Sequence, residues 1–186
     1  EFGLERMEFS EGALRLGVIP TIAPYVLPDA IPRIEAAHPG VELYLREDRT
    51  EALLTQLRAG ELDLLLLALP LHRPGIDELA LYDEPFLLAV PEHHHLATAP
   101  ACSVADLAGE RLVLLEEGHC LRDQALDACH LQGLKSEEIR ATSLETLRQM
   151  VAMGLGVTLI PALACADTSP GTTSVKLKPL SKPGAS

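Results

Sequence analysis

The stretch from Leu62 to Leu69 limits the fold more than any other. It is nearly all leucine and is bounded by Gly60 and Pro70. A continuous apolar run between turn residues suits a central strand covered on both faces, which is a feature of parallel sheets flanked by helices. The segments before it agree. Leu14-Arg15-Leu16-Gly17-Val18-Ile19 alternates and then turns wholly apolar, as a strand entering a core does. Val41-Glu42-Leu43-Tyr44-Leu45-Arg46-Glu47 alternates strictly and reads as a half-exposed strand suited to a sheet edge. Between these strands lie helical segments, so residues 13–84 read as strand-helix-strand-helix-strand, a parallel α/β lobe.

The first of those helices should run to about Ala37. Pro24 sits at its start, and Pro28 and Pro32 fall inside it. An interior proline costs about 3 kcal/mol, so a bent or late-starting helix is expected. The second helix should cover Thr50 to Ala59, with Thr50 as its N-cap and Gly60 as its stop. A second lobe, residues 85–177, opens after Pro85 with Phe86-Leu87-Leu88-Ala89-Val90. It continues with a short helix after Ser103 and strands at Arg111–Leu115 and Ile139–Thr142. A helix capped by Ser143 and ended by Gly154 and Gly156 follows, then a strand at Val157–Ile160. Residues 1–12 read as a lead-in, and 178–186 as a tail or the start of a crossover.

Net charge is −12, so this stretch of chain is poorly suited to the phosphate neutralisation on which DNA binding rests. No apolar run approaches the roughly 18 residues of a membrane span, and no signal-peptide pattern opens the chain. The chain holds 4 cysteines in no dense framework, which fits a reducing compartment and a cytoplasmic location.

Two of those cysteines stand out. In Gly118-His119-Cys120-Leu121-Arg122-Asp123-Gln124-Ala125-Leu126-Asp127-Ala128-Cys129, Cys120 has a histidine and an arginine beside it and precedes a helix-like run to Leu131. Nearby cations and a helix N-terminus both favour a thiolate. Nine helical positions place two thiols about 13 Å apart, whereas a disulfide needs Cα atoms within about 7 Å. The pair is therefore either two unrelated cysteines or one whose oxidation would unwind the segment. Thr21 and Thr50 each follow a strand of the first lobe, on the side where α/β ligands gather; each is either a turn or cap hydroxyl or a ligand contact. His119 reads as a packed histidine or as a group tuning Cys120. Arg122 pairs either with the thiolate or with a carboxylate. Asp123 reads as an organiser of Arg122, since direct contact would raise the pKa of Cys120. Cys102 and Cys165 have no cationic neighbour in sequence and read as inert. His93-His94-His95 suggests zinc, but adjacent residues in an extended loop point apart and no carboxylate spacing completes a set, so no metal site is expected.

The run Gly118–Ala125, together with Arg140-Ala141-Thr142-Ser143-Leu144-Glu145-Thr146-Leu147-Arg148, resembles the regulatory domain of peroxide-sensing LysR-type transcriptional regulators. Leu16–Thr21, Leu107–Glu110 and Gly156–Leu163 fit the same family. The resemblance implies two Rossmann-like lobes with an interlobe cleft, akin to periplasmic binding proteins. It implies a signalling domain rather than an enzyme, in which Cys120 is oxidised by hydrogen peroxide and then joined to Cys129. Thr21, Thr50, His119, Arg122 and Asp123 would surround the peroxide or tune the thiolate. No cofactor or metal is required. The implied partners are a second copy of the chain (a tetramer in the full-length protein), promoter DNA through an N-terminal domain outside this sequence, and a thiol reductant such as glutaredoxin or thioredoxin. No membrane partner is implied. Two other readings share the pattern: a domain binding a small organic effector, which needs neither cysteine, and a thiol peroxidase, which needs both and a reductant.

Overall fold

The computed structural model describes residues 12–128, 139–165 and 175–180. The chain divides into two compact units between Leu67 and Ala68, ahead of the expected 84/85 boundary. Residues 68–84 are tied to the second unit. The Glu84 carboxylate accepts from the Leu163 amide at 2.6 Å, and Gln124 Nε2 donates to the Leu69 carbonyl at 3.4 Å.

The first unit contains β1 (Gly12–Val18), α1 (Ala23–Ala37), β2 (Val41–Glu47), α2 (Thr50–Arg58) and β3 (Leu64–Leu66). Its sheet is parallel with order β2-β1-β3, and Leu14 pairs with Leu43 and Val18 with Leu66. The leucine run is therefore not the central strand. Only Leu64–Leu66 is regular strand, it lies at the end of the described sheet, and Leu64 is 52% exposed. β1 occupies the centre, and its inner end is the buried one. Part of the leucine richness serves α2 instead. A Cβ at Gly17 would come within 2.6 Å of Leu65, 2.8 Å of Leu62 and 3.0 Å of Leu53, so this position has to be small for α2 to settle on β1.

Helix α1 starts at Ala23, not late, and runs through both interior prolines. Pro24 lies in the first turn, where its missing N–H costs nothing. Pro28 and Pro32 are exposed, as is Pro24, so the carbonyls that lose a donor sit on the solvent side of the helix. Helix α2 departs from expectation at its start. Arg49 is the N-cap and Thr50 is already helical, so Thr50 does not cap it.

The second unit contains β4 (Phe86–Pro91), β5 (Val113–Leu115), α3 (Cys120–Ala128), β6 (Ile139–Ala141), α4 (Leu144–Ala152), β7 (Thr158–Pro161) and β8 (Val175–Pro179). Short 3-10 turns cover His95–Thr98, Val104–Leu107 and Ala162–Cys165. β4 is the middle strand of an antiparallel sheet, order β7-β4-β8, while β5 and β6 pair in parallel. Strand β8 was not expected in the Lys- and Pro-rich tail. It pairs with β4 from Leu87↔Pro179 to Pro91↔Val175, so the chain across the 177/178 boundary is one strand. Leu88, Val90, Leu107, Leu112, Leu114, Ala125, Val157 and Leu159 form the core of this unit. Helix α4 begins as its sequence indicates: Ser143 Oγ accepts from the Thr146 amide at 3.2 Å.

Candidate functional site

Strand β5 ends at Leu115, and the chain crosses Glu116–His119 before Cys120 opens α3. The crossing is fixed at both ends. The Glu116 amide donates to the Ala141 carbonyl of β6 at 3.0 Å, and the Arg122 amide donates to the His119 carbonyl at 3.0 Å. Cys120 is a half-buried thiol in the first turn of α3, where unsatisfied amides give partial positive charge. His119 and Arg122 are both buried, at 6% and 9% exposure. A buried guanidinium is costly unless its donors are used, and Arg122 Nη1 donates to the Leu115 carbonyl at 3.4 Å. The strand that delivers the cysteine thus also anchors the cation beside it. Asp123 points to the exposed side of α3. Gln124, not anticipated, bonds the segment after β3 from the same helix.

The lack of a cationic neighbour, from which Cys102 and Cys165 are expected to be inert, holds in sequence but not in space. Each has a cation nearby in space, Lys178 for Cys102 and Arg148 for Cys165. Burial is the larger influence on both and pushes their thiols up. Cys165 also donates its S–H to the Pro161 carbonyl at 3.3 Å. Cys129 lies outside the described residues, as does the expected end of the helix at Leu131.

Thr21 and Thr50 belong to the first unit, both at the carboxyl ends of neighbouring parallel strands. Thr21 is buried. Thr50 Oγ1 is buried with no hydrogen-bond partner among the described residues. An unsatisfied buried hydroxyl costs about 1–3 kcal/mol. Thr50→Val, which keeps the shape and removes the hydroxyl, should therefore leave the thermal unfolding midpoint of the first unit unchanged or raise it. A clear fall in that midpoint, measured by circular dichroism, would mean that the hydroxyl is needed for folding.

His94 and His95 do not splay apart as an extended loop would make them. The chain turns into the 3-10 segment at His95, and both rings face the Glu110 carboxylate, at 3.2 and 3.3 Å. Glu110 is sixteen positions from His94, so no local spacing could have announced the contact.

Residues 8–185 match the LysR substrate binding domain. The chain belongs to that LysR family. Over 165 residues it is 48% identical to the DNA-binding transcriptional dual regulator OxyR of Escherichia coli strain K12, covering 88% of this chain and 54% of that protein. The chain thus spans about half the length of the curated relatives it matches. A crystal structure of the reduced form of OxyR superposes with a TM-score of 0.84 at 46% identity, covering 95% of this chain and 82% of that one. The oxidised form superposes with a TM-score of 0.81 at 47% identity, covering 95% and 83%. The two-unit α/β architecture is accordingly that of an OxyR-like LysR regulatory domain, and its relatives are named as transcriptional regulators, not enzymes.

Proposed function

We propose that this domain senses hydrogen peroxide for a LysR-type transcriptional activator. The observation that carries the reading is the Cys120 thiol at the first turn of α3, with the buried His119 and Arg122 as its sequence neighbours. The names of its relatives, hydrogen peroxide-inducible genes activators, support it. The Cys120 thiolate attacks one peroxide oxygen and the O–O bond breaks, giving a sulfenic acid and hydroxide. The Cys129 thiol then displaces the sulfenic oxygen as water, and a Cys120–Cys129 disulfide results. The thiols lose two electrons and the peroxide gains them. His119 and Arg122 favour the thiolate, Asp123 organises Arg122, and Thr21 and Thr50 offer hydroxyls to the peroxide. The orphaned Thr50 hydroxyl supports that last role, because a donor or acceptor left unused in the protein is available to a small polar ligand.

In the whole regulator, oxidation would be read out through a twofold assembly of this domain and passed to a separate DNA-binding domain. The outward edge of β2, at the end of the described sheet, is available for self-association. A cytoplasmic thiol reductant of the glutaredoxin or thioredoxin type would reset the pair. Among the described residues, no helix is long and apolar enough to cross a membrane.

The reading is tested by titrating the reduced protein with hydrogen peroxide and counting thiols by intact mass. Stoichiometric peroxide should remove the Cys120 and Cys129 thiols together and leave Cys102 and Cys165. Thr50→Val should slow this loss with its fold intact. If thiols disappear no faster than in a small thiol peptide, the domain is not a peroxide sensor, and a small organic effector becomes the better ligand. If peroxide is consumed catalytically with added thioredoxin at enzyme-like rates, the peroxidase reading replaces this one.

A further inference from the structure

We infer that His94, His95 and Glu110 form a binding site for a divalent first-row transition ion, with zinc the natural occupant. The site lies in the second unit, where the 3-10 turn at His95–Thr98 faces the segment leading from Leu107 to Leu112. One ligand atom from each of the three residues falls within 4.8 Å of the others. Around zinc, with bonds of about 2.0–2.1 Å, neighbouring tetrahedral ligands are separated by about 3.3–3.4 Å. His94 Nε2 stands 3.2 Å from Glu110 Oε2 and His95 Nε2 3.3 Å from Oε1, so each imidazole is already a tetrahedral edge's length from one oxygen of the shared carboxylate. The rings, with centroids 4.4 Å apart and planes tilted by 33°, fan from adjacent residues towards one carboxylate.

The donor set selects the ion. Two imidazoles and a carboxylate, with no thiolate, suit zinc, cobalt or nickel and not a soft ion or the all-oxygen cages of calcium and magnesium. Three protein ligands leave a coordination position for water. The site is supported and accessible. The carboxylate of Glu110 and the ring of His94 are 19% and 18% exposed, whereas His95 is 67% exposed and gives an entry path. His94 also records whether the ion is present. Its Nδ1 accepts from the Leu96 amide at 3.3 Å, which places its ring proton on Nε2, towards Glu110. Coordination through Nε2 moves that proton to Nδ1, and the Leu96 amide loses its acceptor. At 3.3 Å that bond is long and the exchange costs little.

Cobalt(II) chloride, added alone to the reduced protein with a phosphine reductant, tests the site. One cobalt per chain should bind, with visible d–d absorption but no thiolate-to-cobalt charge transfer in the near ultraviolet, and zinc should displace it. Binding should move the Leu96 amide resonance. His95→Ala, at an exposed position, and Glu110→Gln should each weaken uptake by roughly tenfold or more, while His93→Ala and Cys120→Ser leave it unchanged. Retention in Cys120→Ser keeps this result separate from the peroxide reading. A sulfur charge-transfer band, uptake equal in His95→Ala and Glu110→Gln to that of the parent protein, or no uptake would overturn the site.

Discussion

Gly156→Ala should lower the unfolding midpoint of the second unit by about 10 °C. Two independent costs meet at this residue. Its φ is +154°, a backbone region that is essentially glycine's alone, and forcing an L-residue there costs about 1–3 kcal/mol. An added Cβ would also collide with the backbone carbonyl oxygen of Arg111 and stand 3.0 Å from the Val113 side chain. No rotamer change can relieve a backbone collision. The Arg111 carbonyl is not able to retreat freely, because it accepts the Val157 amide at 2.9 Å and the Val113 amide returns to the Val157 carbonyl at 2.9 Å. Relief would break this bridge at the entrance to β5, the strand that leads to Cys120. Overpacking adds about 1–3 kcal/mol, so a total near 3 kcal/mol or more is expected. Gly154→Ala is the control. Its φ is +80° and nothing lies within 4 Å of the new Cβ, so it bears the backbone cost only. Differential scanning calorimetry on both variants decides the matter. Equal midpoints would show that the Arg111 approach is not a constraint.

The contrast between these two glycines shows what can be read from the chain and what cannot. Gly154 follows a helix with a clear period, and its role as a stop is local. Gly156 has the same identity two positions on, but its constraint comes from Arg111, in the distant segment that leads into β5. The same division runs through the whole molecule. Strict alternation in Val41–Glu47 and the Ser143 hydroxyl before an amphipathic helix act over a few residues, and both elements form where the sequence places them. The leucine run misleads because periodicity reports how apolar a strand is, not what covers it. β1 takes the centre, and Leu62 and Leu65 lie against Gly17 on that strand. β8 was missed because Lys176 and Lys178 alternate with Val175 and Leu177 within a tail whose composition suggests no structure; its partner, β4, lies more than eighty residues earlier. At the site, the neighbours of Cys120 in sequence are legible, whereas the burial of Arg122 against Leu115 and the meeting of His94, His95 and Glu110 depend on tertiary placement.

Oxidation by peroxide should unfold α3. Cys120 and Ala128 are its first and last residues, and eight helical steps separate their Cα atoms by about 12 Å. Cys129 follows Ala128 through one peptide, so its Cα lies within about 3.8 Å of that of Ala128. Wherever Cys129 sits, its Cα is then about 8 Å or more from that of Cys120, beyond the roughly 7 Å that a disulfide spans. The proposed Cys120–Cys129 bond therefore cannot form on an intact α3. Unwinding has to release the buried side chains Leu121 and Ala125 from the core, so part of the oxidative driving force is spent there. The bond should be easily reduced, with a potential above the roughly −300 mV limit of structural disulfides. Amide hydrogen exchange followed by mass spectrometry provides the readout. In the reduced protein, the amides of residues 124–128 should be protected by their helical bonds, and peroxide should remove most of that protection. Cys129→Ser should form the sulfenic acid at Cys120 yet keep α3 protected, whereas Cys120→Ser should show neither oxidation nor loss of protection. If peroxide links Cys120 to Cys129 while protection over residues 124–128 stays as it was, the helix does not persist in the reduced protein in solution. The redox chemistry would then stand, but α3 would not be the element that carries the signal.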